Sequence, residues 1–179
     1  MTFDRAFALT IGEEGGESNN PADRGGHTYR GVTQRRFTAW VTENGKYPEL
    51  DRDVITMTDA ELITLAKIGY WNVAHCDDCP ERTGCLHFDA AFNHGPANAI
   101  GILQKALGVE VDYVYGPITF GVLSKADDGL LLERYFVARK AFYDHIIETD
   151  PKKNDPLLRQ QNNYAGWMNR LTHLRKALA

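Results

Sequence analysis

A carboxylic acid, a second carboxylate and a hydroxyl lie close together near the start of the chain. They are Glu14, Asp23 and Thr28, in the stretch Glu13-Glu14-Gly15-Gly16-Glu17-Ser18-Asn19-Asn20-Pro21-Ala22-Asp23-Arg24-Gly25-Gly26-His27-Thr28-Tyr29-Arg30-Gly31-Val32-Thr33. Cleaving a glycosidic bond needs a protonated acid for the leaving oxygen and a carboxylate to activate water or stabilise an oxocarbenium-like transition state. A free Glu titrates near about 4.3, so a catalytic acid must be raised, usually by apolar neighbours. On a helical wheel of ~100° per residue, Phe3, Phe7, Ile11 and Glu14 share one stripe, with Glu13 to its side. This places Glu14 at the core's edge. Asp23, in a Pro-Ala-Asp-Arg-Gly-Gly turn, is expected to be solvated and ionised, and Thr28 to help orient water. Gly25 and Gly26 let backbone approach a sugar ring with no Cβ between. The same residues also read as a helix end followed by ordinary turn chemistry, and spacing alone does not choose between the two.

The elements that would position these groups are mostly helical. The apolar spacing of Phe3, Ala6, Phe7, Thr10 and Ile11 predicts a first helix of about three turns, ended by Gly15-Gly16. Residues 15–33 read as turns with a short hairpin, and Thr33 as the N-cap of a segment through Trp40. Residues 42–54 form a polar loop. Thr58-Asp59-Ala60-Glu61 is a capping box opening a helix to about Trp71. A Cys/His-containing linker covers 72–85, and the chain is helical again from Leu86 to a break at His94-Gly95-Pro96. A helix over 97–107, a turn at Asp112–Gly116 and Pro117 in a following first turn come next. The longest amphipathic stretch, about 129–149, turns Leu131, Leu132, Tyr135, Phe136, Ala138, Phe142 and Ile146 inward. A last helix lies near 164–178. The fold class is mostly α (α+β), a helical bundle with a small β-hairpin element near the N-terminus.

At 179 residues and 43% apolar content, the chain can build one substantial core. Its formal charge of -4 argues against a general nucleic-acid binder. Met1-Thr2-Phe3-Asp4-Arg5 lacks the basic and apolar regions of a secretory signal, and no run of about 18 apolar residues could span a bilayer. A cytoplasmic protein is therefore expected.

The string Glu14-Gly15-Gly16 … Asn19 … Pro21-Ala22-Asp23 … Gly25-Gly26 … Thr28 … Gly31-Val32-Thr33 closely resembles glycoside hydrolase family 108, phage endolysins and related muramidases of the lysozyme-like superfamily. The resemblance continues through Phe88-Asp89 … Asn93-His94-Gly95-Pro96 … Ala99, Leu103-Gln104-Lys105-Ala106-Leu107-Gly108-Val109, Asp112 … Gly116-Pro117 … Thr119, Arg139 … Phe142-Tyr143 and Gly166-Trp167-Met168-Asn169-Arg170. It implies a catalytic lysozyme-like region over 1–85 and a helical peptidoglycan-binding region over 86–179, packed as one body. It assigns Glu14 as catalytic acid, with Asp23 and Thr28 as partners, and implies no cofactor. The implied reaction is hydrolysis of the β-1,4 bond between N-acetylmuramic acid and N-acetylglucosamine. A monomer is expected to accumulate in the host cytoplasm and reach the periplasmic wall through a lesion made by a holin-type protein. Rival readings are a lytic transglycosylase acting on the same bond and a wall-binding protein without catalysis. Glu17, where the family usually has an aromatic residue, and His27, where an acidic one is common, depart from the pattern.

Three further groups stand apart. Cys76, Cys79, Cys85 and His87 have Cys-x2-Cys and Cys-x-His spacings that could suit zinc; the alternatives are a Cys76–Cys79 disulfide or simple reduced thiols, one of them a small buried apolar group. Among the rings, Tyr29 in the glycine-rich turn is the better candidate for sugar contact, while Trp71 and Phe92 read as core. Asn93, at a helix break, reads either as sugar-facing or as a C-cap. From Leu157 onward the chain carries Arg159, Arg170, Arg175 and Lys176 and no acidic side chain. With Trp167, Leu171, Leu174 and Leu178, this helix could touch anionic lipid or lipopolysaccharide, or be a packed terminal helix with a solvated basic face.

Overall fold

The computed structural model describes residues 3–12, 27–157 and 159–179, and the backbone of 17–18. Helix α1 (Phe3–Gly12) buries Ala6 and Thr10 completely, with Phe3, Phe7, Leu9 and Ile11 partly buried beside them. The closest contact therefore follows the small residues, one position away from the Phe3/Phe7/Ile11 stripe. The backbones come near along Ala6 and Thr10, and the larger side chains straddle that seam. Phe3 meets Trp71 and Phe88 edge-on, with ring centroids 5.6 Å apart in each case.

Three short antiparallel strands follow: β1 (Glu17–Ser18), β2 (Thr28–Tyr29) and β3 (Val32–Thr33), in the order β1-β2-β3. Thr33 caps α2 (Gln34–Val41) by accepting a hydrogen bond from the Arg36 N–H. The expected polar loop contains a single 3-10 turn, Pro48–Leu50, and a second, Val54–Thr56, begins at its last residue. Thr58 and Glu61 complete the expected capping box of α3 (Asp59–Ala66), which continues as a π-helical turn, Lys67–Trp71. Trp71 and Phe92 are core, as the sequence indicates, and Tyr70 joins them.

Helix α4 (Glu81–His94) starts five residues before the expected Leu86, so the Cys/His linker is shorter and Cys85 lies on the helix. The local sequence carries no cap because the cap is tertiary. The Asp128 carboxylate accepts from the backbone N–H groups of Arg82 (3.1 Å) and Thr83 (3.0 Å) and from the Thr83 hydroxyl (2.8 Å), satisfying donors that a helix start otherwise leaves open. Every residue from Thr83 to Phe92 is buried, as expected of a helix packed on all sides. Helix α1, α5 (Pro96–Leu107) and α7 (Asp128–Glu148) all pack against it. Helix α6 (Pro117–Leu123) lies between α5 and α7 in the chain, and α8 (Gln161–Ala177) closes the fold against α7. On α7, Arg139 and Tyr143 are fully buried, whereas Phe142 and Ile146 are only partly so.

The zinc reading of the linker fails on His87. Its Nε2 lies 2.8 Å from the Ala74 carbonyl oxygen and its Nδ1 2.9 Å from the Tyr135 hydroxyl. A carbonyl only accepts, so Nε2 carries the proton and Nδ1 accepts from Tyr135. Neither nitrogen is left for a metal. Cys76, Cys79 and Cys85 are buried cysteines rather than disulfide partners. The lipid-contact reading of the C-terminal helix fails on geometry too: Leu171, Leu174 and Leu178 are buried in the core, and Trp167 stacks on Tyr143 at 5.0 Å. Arg170 is engaged internally, and Arg175 pairs with Glu133 at 2.5 Å. Among the described residues, no helix is long and apolar enough to cross a membrane.

Burial pushes the His87 pKa down to about 4. Between that value and the ordinary ~6.5, the unfolded chain binds a proton that the folded chain does not, so stability is full above about pH 6.5 and falls as pH drops toward 4. Chemical-denaturation midpoints measured across pH 7 to 4 should decline, with a loss on the order of 3 kcal/mol attributable to this group. In His87→Gln, whose basal stability will be lower, that slope should be visibly shallower.

Candidate active site

The sheet side of the site is held by local hydrogen bonding. Glu17 faces Tyr29 and Ser18 faces Thr28 across the first strand pair, and Thr28 and Tyr29 face Thr33 and Val32 across the second. The two-residue connection Arg30-Gly31 has positive φ at both positions, 50° and 80°, the backbone of a tight hairpin turn compatible with strand twist. Arg30, unusual in that conformation, ion-pairs with Asp59. Gln34 ties the sheet to the next loop: its Oε1 accepts from the Val54 N–H at 2.7 Å and its Nε2 donates to the Arg52 carbonyl at 2.9 Å. Thr28 and Tyr29 therefore share β2 on a braced hairpin, with Tyr29 partly buried against the core. Glu14, Asp23, Gly25 and Gly26 lie outside the described residues.

The helical side is organised by charge. Asp89, fully buried on α4, meets two arginines. Arg139 Nη2 lies 2.5 Å from its Oδ1, while Arg170 donates from Nη2 at 2.5 Å and from Nε at 3.0 Å to Oδ2. Burial alone would raise the Asp89 pKa, but the Arg139 and then the Arg170 guanidinium outweigh it and hold the carboxyl below its usual range. Arg139 Nε donates to the Tyr143 hydroxyl at 3.0 Å, and His94 Nε2 lies 3.1 Å from that same oxygen. Enclosure and, second, the Arg139 charge push the His94 pKa down to about 3, so the ring is neutral near pH 7. Arg170 Nη2 also donates to the Thr10 carbonyl at 3.1 Å. This bond ties the last turn of α1, four residues before Glu14 in sequence, to α8.

Beside this cluster is a cavity of about 870 Å³ whose wall includes Asn93, His94, Asn98, Phe142, Asn163 and Trp167. Asn93 is not the helix cap, which is Gly95; its Nδ2 donates back to the Asp89 carbonyl at 2.8 Å. A second cavity, about 800 Å³, includes Trp40, Leu50, Arg52 and Ile68 in its wall and takes in none of the candidate residues. Thr28 and Tyr29 thus sit together on the sheet, and Asn93 belongs to the helical wall. The sequence reading gave no role to Asp89, Arg139 or Asn98, although an aspartate inside the apolar run Leu86–Phe92 already demands a cationic partner.

Residues 7–95 match the family model described as Glycosyl hydrolase 108, and residues 98–172 match the one described as Predicted Peptidoglycan domain. No curated protein sequence matches the chain. A solved structure from Brucella abortus, titled as that of SagA, is similar at a TM-score of 0.78 and 25% sequence identity, over 98% of this chain and 92% of that one.

Removing the Asp89 charge leaves Arg139 buried without its counter-ion. Asp89→Asn should lower unfolding free energy by about 3–5 kcal/mol in urea titration. Lys140→Ala, which breaks the exposed pair to Asp144, should leave the urea midpoint nearly unchanged. Similar costs for both would show that the buried cluster is not a principal constraint.

Proposed function

The chain belongs to glycosyl hydrolase family 108 and is a peptidoglycan hydrolase of the glycosidase class, and on that premise we propose that it is an N-acetylmuramidase. It hydrolyses the β-1,4 bond between N-acetylmuramic acid and N-acetylglucosamine. The observation that carries the reading is the family match over residues 7–95, which takes in Glu14, Asp23 and Thr28. The tie from Arg170 to the Thr10 carbonyl supports it by giving the helix that leads to Glu14 a fixed register.

In this mechanism Glu14, protonated, donates its proton to the glycosidic oxygen as the bond to the anomeric carbon breaks. Asp23, ionised, stabilises the positive charge on the sugar or takes the proton of the attacking water, and Thr28 holds that water. Tyr29, Gly25 and Gly26 would line the sugar path on the sheet side, and Asn93 on the helical side. Residues 98–172 hold the polymer while the bond is cut. We place the enzyme in the lysis pathway of a bacteriophage: made in the host cytoplasm and admitted to the wall by a separate membrane lesion, as an endolysin acting alone as a monomer.

Digesting purified Gram-negative sacculi and identifying the soluble muropeptides by mass tests this. The wild type should release fragments with reducing-end N-acetylmuramic acid. Glu14→Gln should lose about 10³-fold in rate, within the range for removing a general acid. Asp23→Asn should lose less, and Glu13→Gln should stay within about twofold, as expected of a carboxylate that transfers no proton. Anhydro-sugar products would instead assign a transglycosylase, and a fully active Glu14→Gln would move the acid elsewhere.

A further inference from the structure

The cavity walled by α4, α5, α7 and α8 has a lining unlike a general polar cleft. Among its described lining residues there is no Asp, Glu, Lys or Arg. The titratable group that remains, His94, is neutral because of its enclosure and the Arg139 charge. Recognition there must come from amides and rings.

The orientation of the amides is fixed by their partners. Asn93 Nδ2 donates to the Asp89 carbonyl and Asn98 Nδ2 to the His94 carbonyl, each at 2.8 Å. Backbone carbonyls only accept, so the nitrogen end of each side chain must face the helix. The Oδ1 atoms are left as acceptors with no protein partner among the described residues. Farther along the wall, Asn163 and Gln160 pair amide to amide at 3.4 Å. That contact uses one donor of Asn163 and the oxygen of Gln160, leaving Asn163 Oδ1 to accept and Gln160 Nε2 to donate. Trp167 and Phe142 add rings to the same wall.

We propose that this cavity is a glycan-holding site that binds N-acetylated sugars of the peptidoglycan strand rather than its peptide stems. Sugar hydroxyls and an acetamido N–H supply donors for the three asparagine oxygens. The acetamido carbonyl takes the Gln160 donor, and the apolar sugar face or acetyl methyl meets a ring. Stem peptides carry carboxylates and ammonium groups, for which this wall offers no counter-charge. The site rests on the reading that peptidoglycan is the substrate, and it assigns the polymer contact of the C-terminal region to particular side chains.

The test uses full-length Glu14→Gln, so that the probe is not consumed. Side-chain amide resonances are followed by NMR as the tetramer of N-acetylglucosamine is added, and separately as a sugar-free stem tetrapeptide is added. The tetramer should shift Asn93, Asn98, Asn163 and the Trp167 indole N–H while Asn44 stays in place; the peptide should shift none of them. Peptide-specific shifts, or none with either probe, overturn the proposal. In the second arm, Asn98→Ala/Asn163→Ala should bind the tetramer roughly tenfold more weakly, the size expected for losing two hydrogen bonds, with an unchanged thermal midpoint. Undiminished affinity overturns the proposal as well. If the double variant does not fold, the resonance shifts of Glu14→Gln decide. Muropeptide release separates the two readings. A cavity variant that binds like the parent, alongside a dead Glu14→Gln, leaves the muramidase intact and removes this site. Lost tetramer binding alongside an active Glu14→Gln does the reverse.

Discussion

A carboxylate with no water around it must lose its charge or find cations, and Asp89 takes the second course. It lies in the middle of α4, a helix whose residues from Thr83 to Phe92 are all buried. Removing such an ion from water costs several kcal/mol even after relaxation, and only close, well-aligned partners repay it. Arg170 from α8 supplies aligned hydrogen bonds, and Arg139 from α7 a close opposite charge. A core of apolar residues at these positions could be as stable. What the ions add is register, because α7 and α8 can dock on α4 only where both guanidiniums reach the same carboxylate.

The consequences extend outward from that point. Arg139 Nε donates to Tyr143, Tyr143 contacts His94, and the Arg139 charge helps to keep His94 neutral where it meets the cavity. The strongest charges on this side of the molecule are thus buried and paired, while the adjacent opening presents amides and rings. Arg170 carries the same constraint the other way, through the Thr10 carbonyl, to the end of α1. One ion cluster therefore fixes both the approach to Glu14 and the character of the helical wall.

Local signals were legible in the sequence wherever the controlling partner is near in the chain. Thr33, the Thr58/Glu61 box, the break at Gly95-Pro96 and Pro117 at the head of α6 are all set by neighbours within four residues. The features misplaced or left open depend on distant partners. The start of α4 is capped by Asp128, some forty-five residues later, and His87 is spent on Ala74 and Tyr135. The C-terminal helix has the composition of a lipid-facing surface, but its leucines are core and Arg170 is a counter-ion. Composition reports what a helix could contact; only packing decides what it does. For the site, residue types and order identified the family, whereas Asn98 and Asn163 became visible only once α5 and α8 stood beside the same cavity.

The two matched regions meet at residues 95–98, yet the electrostatics cross that boundary repeatedly. Asp89 belongs to the first region, while Arg139 and Arg170, which neutralise it, belong to the second. The N-terminus of α4 is in the first, and Asp128, which caps it, is in the second. Without the second region, the first would hold an unpaired buried carboxylate, an uncapped helix and an exposed α4. Without the first, the second would hold two arginines on a bare apolar face. Neither half satisfies these polar groups from its own residues. A polymer strand held against α5 and α8 is consequently held against the same rigid frame that sets the end of α1. Coupling between holding the wall and cutting it then needs no moving part, only the shared carboxylate.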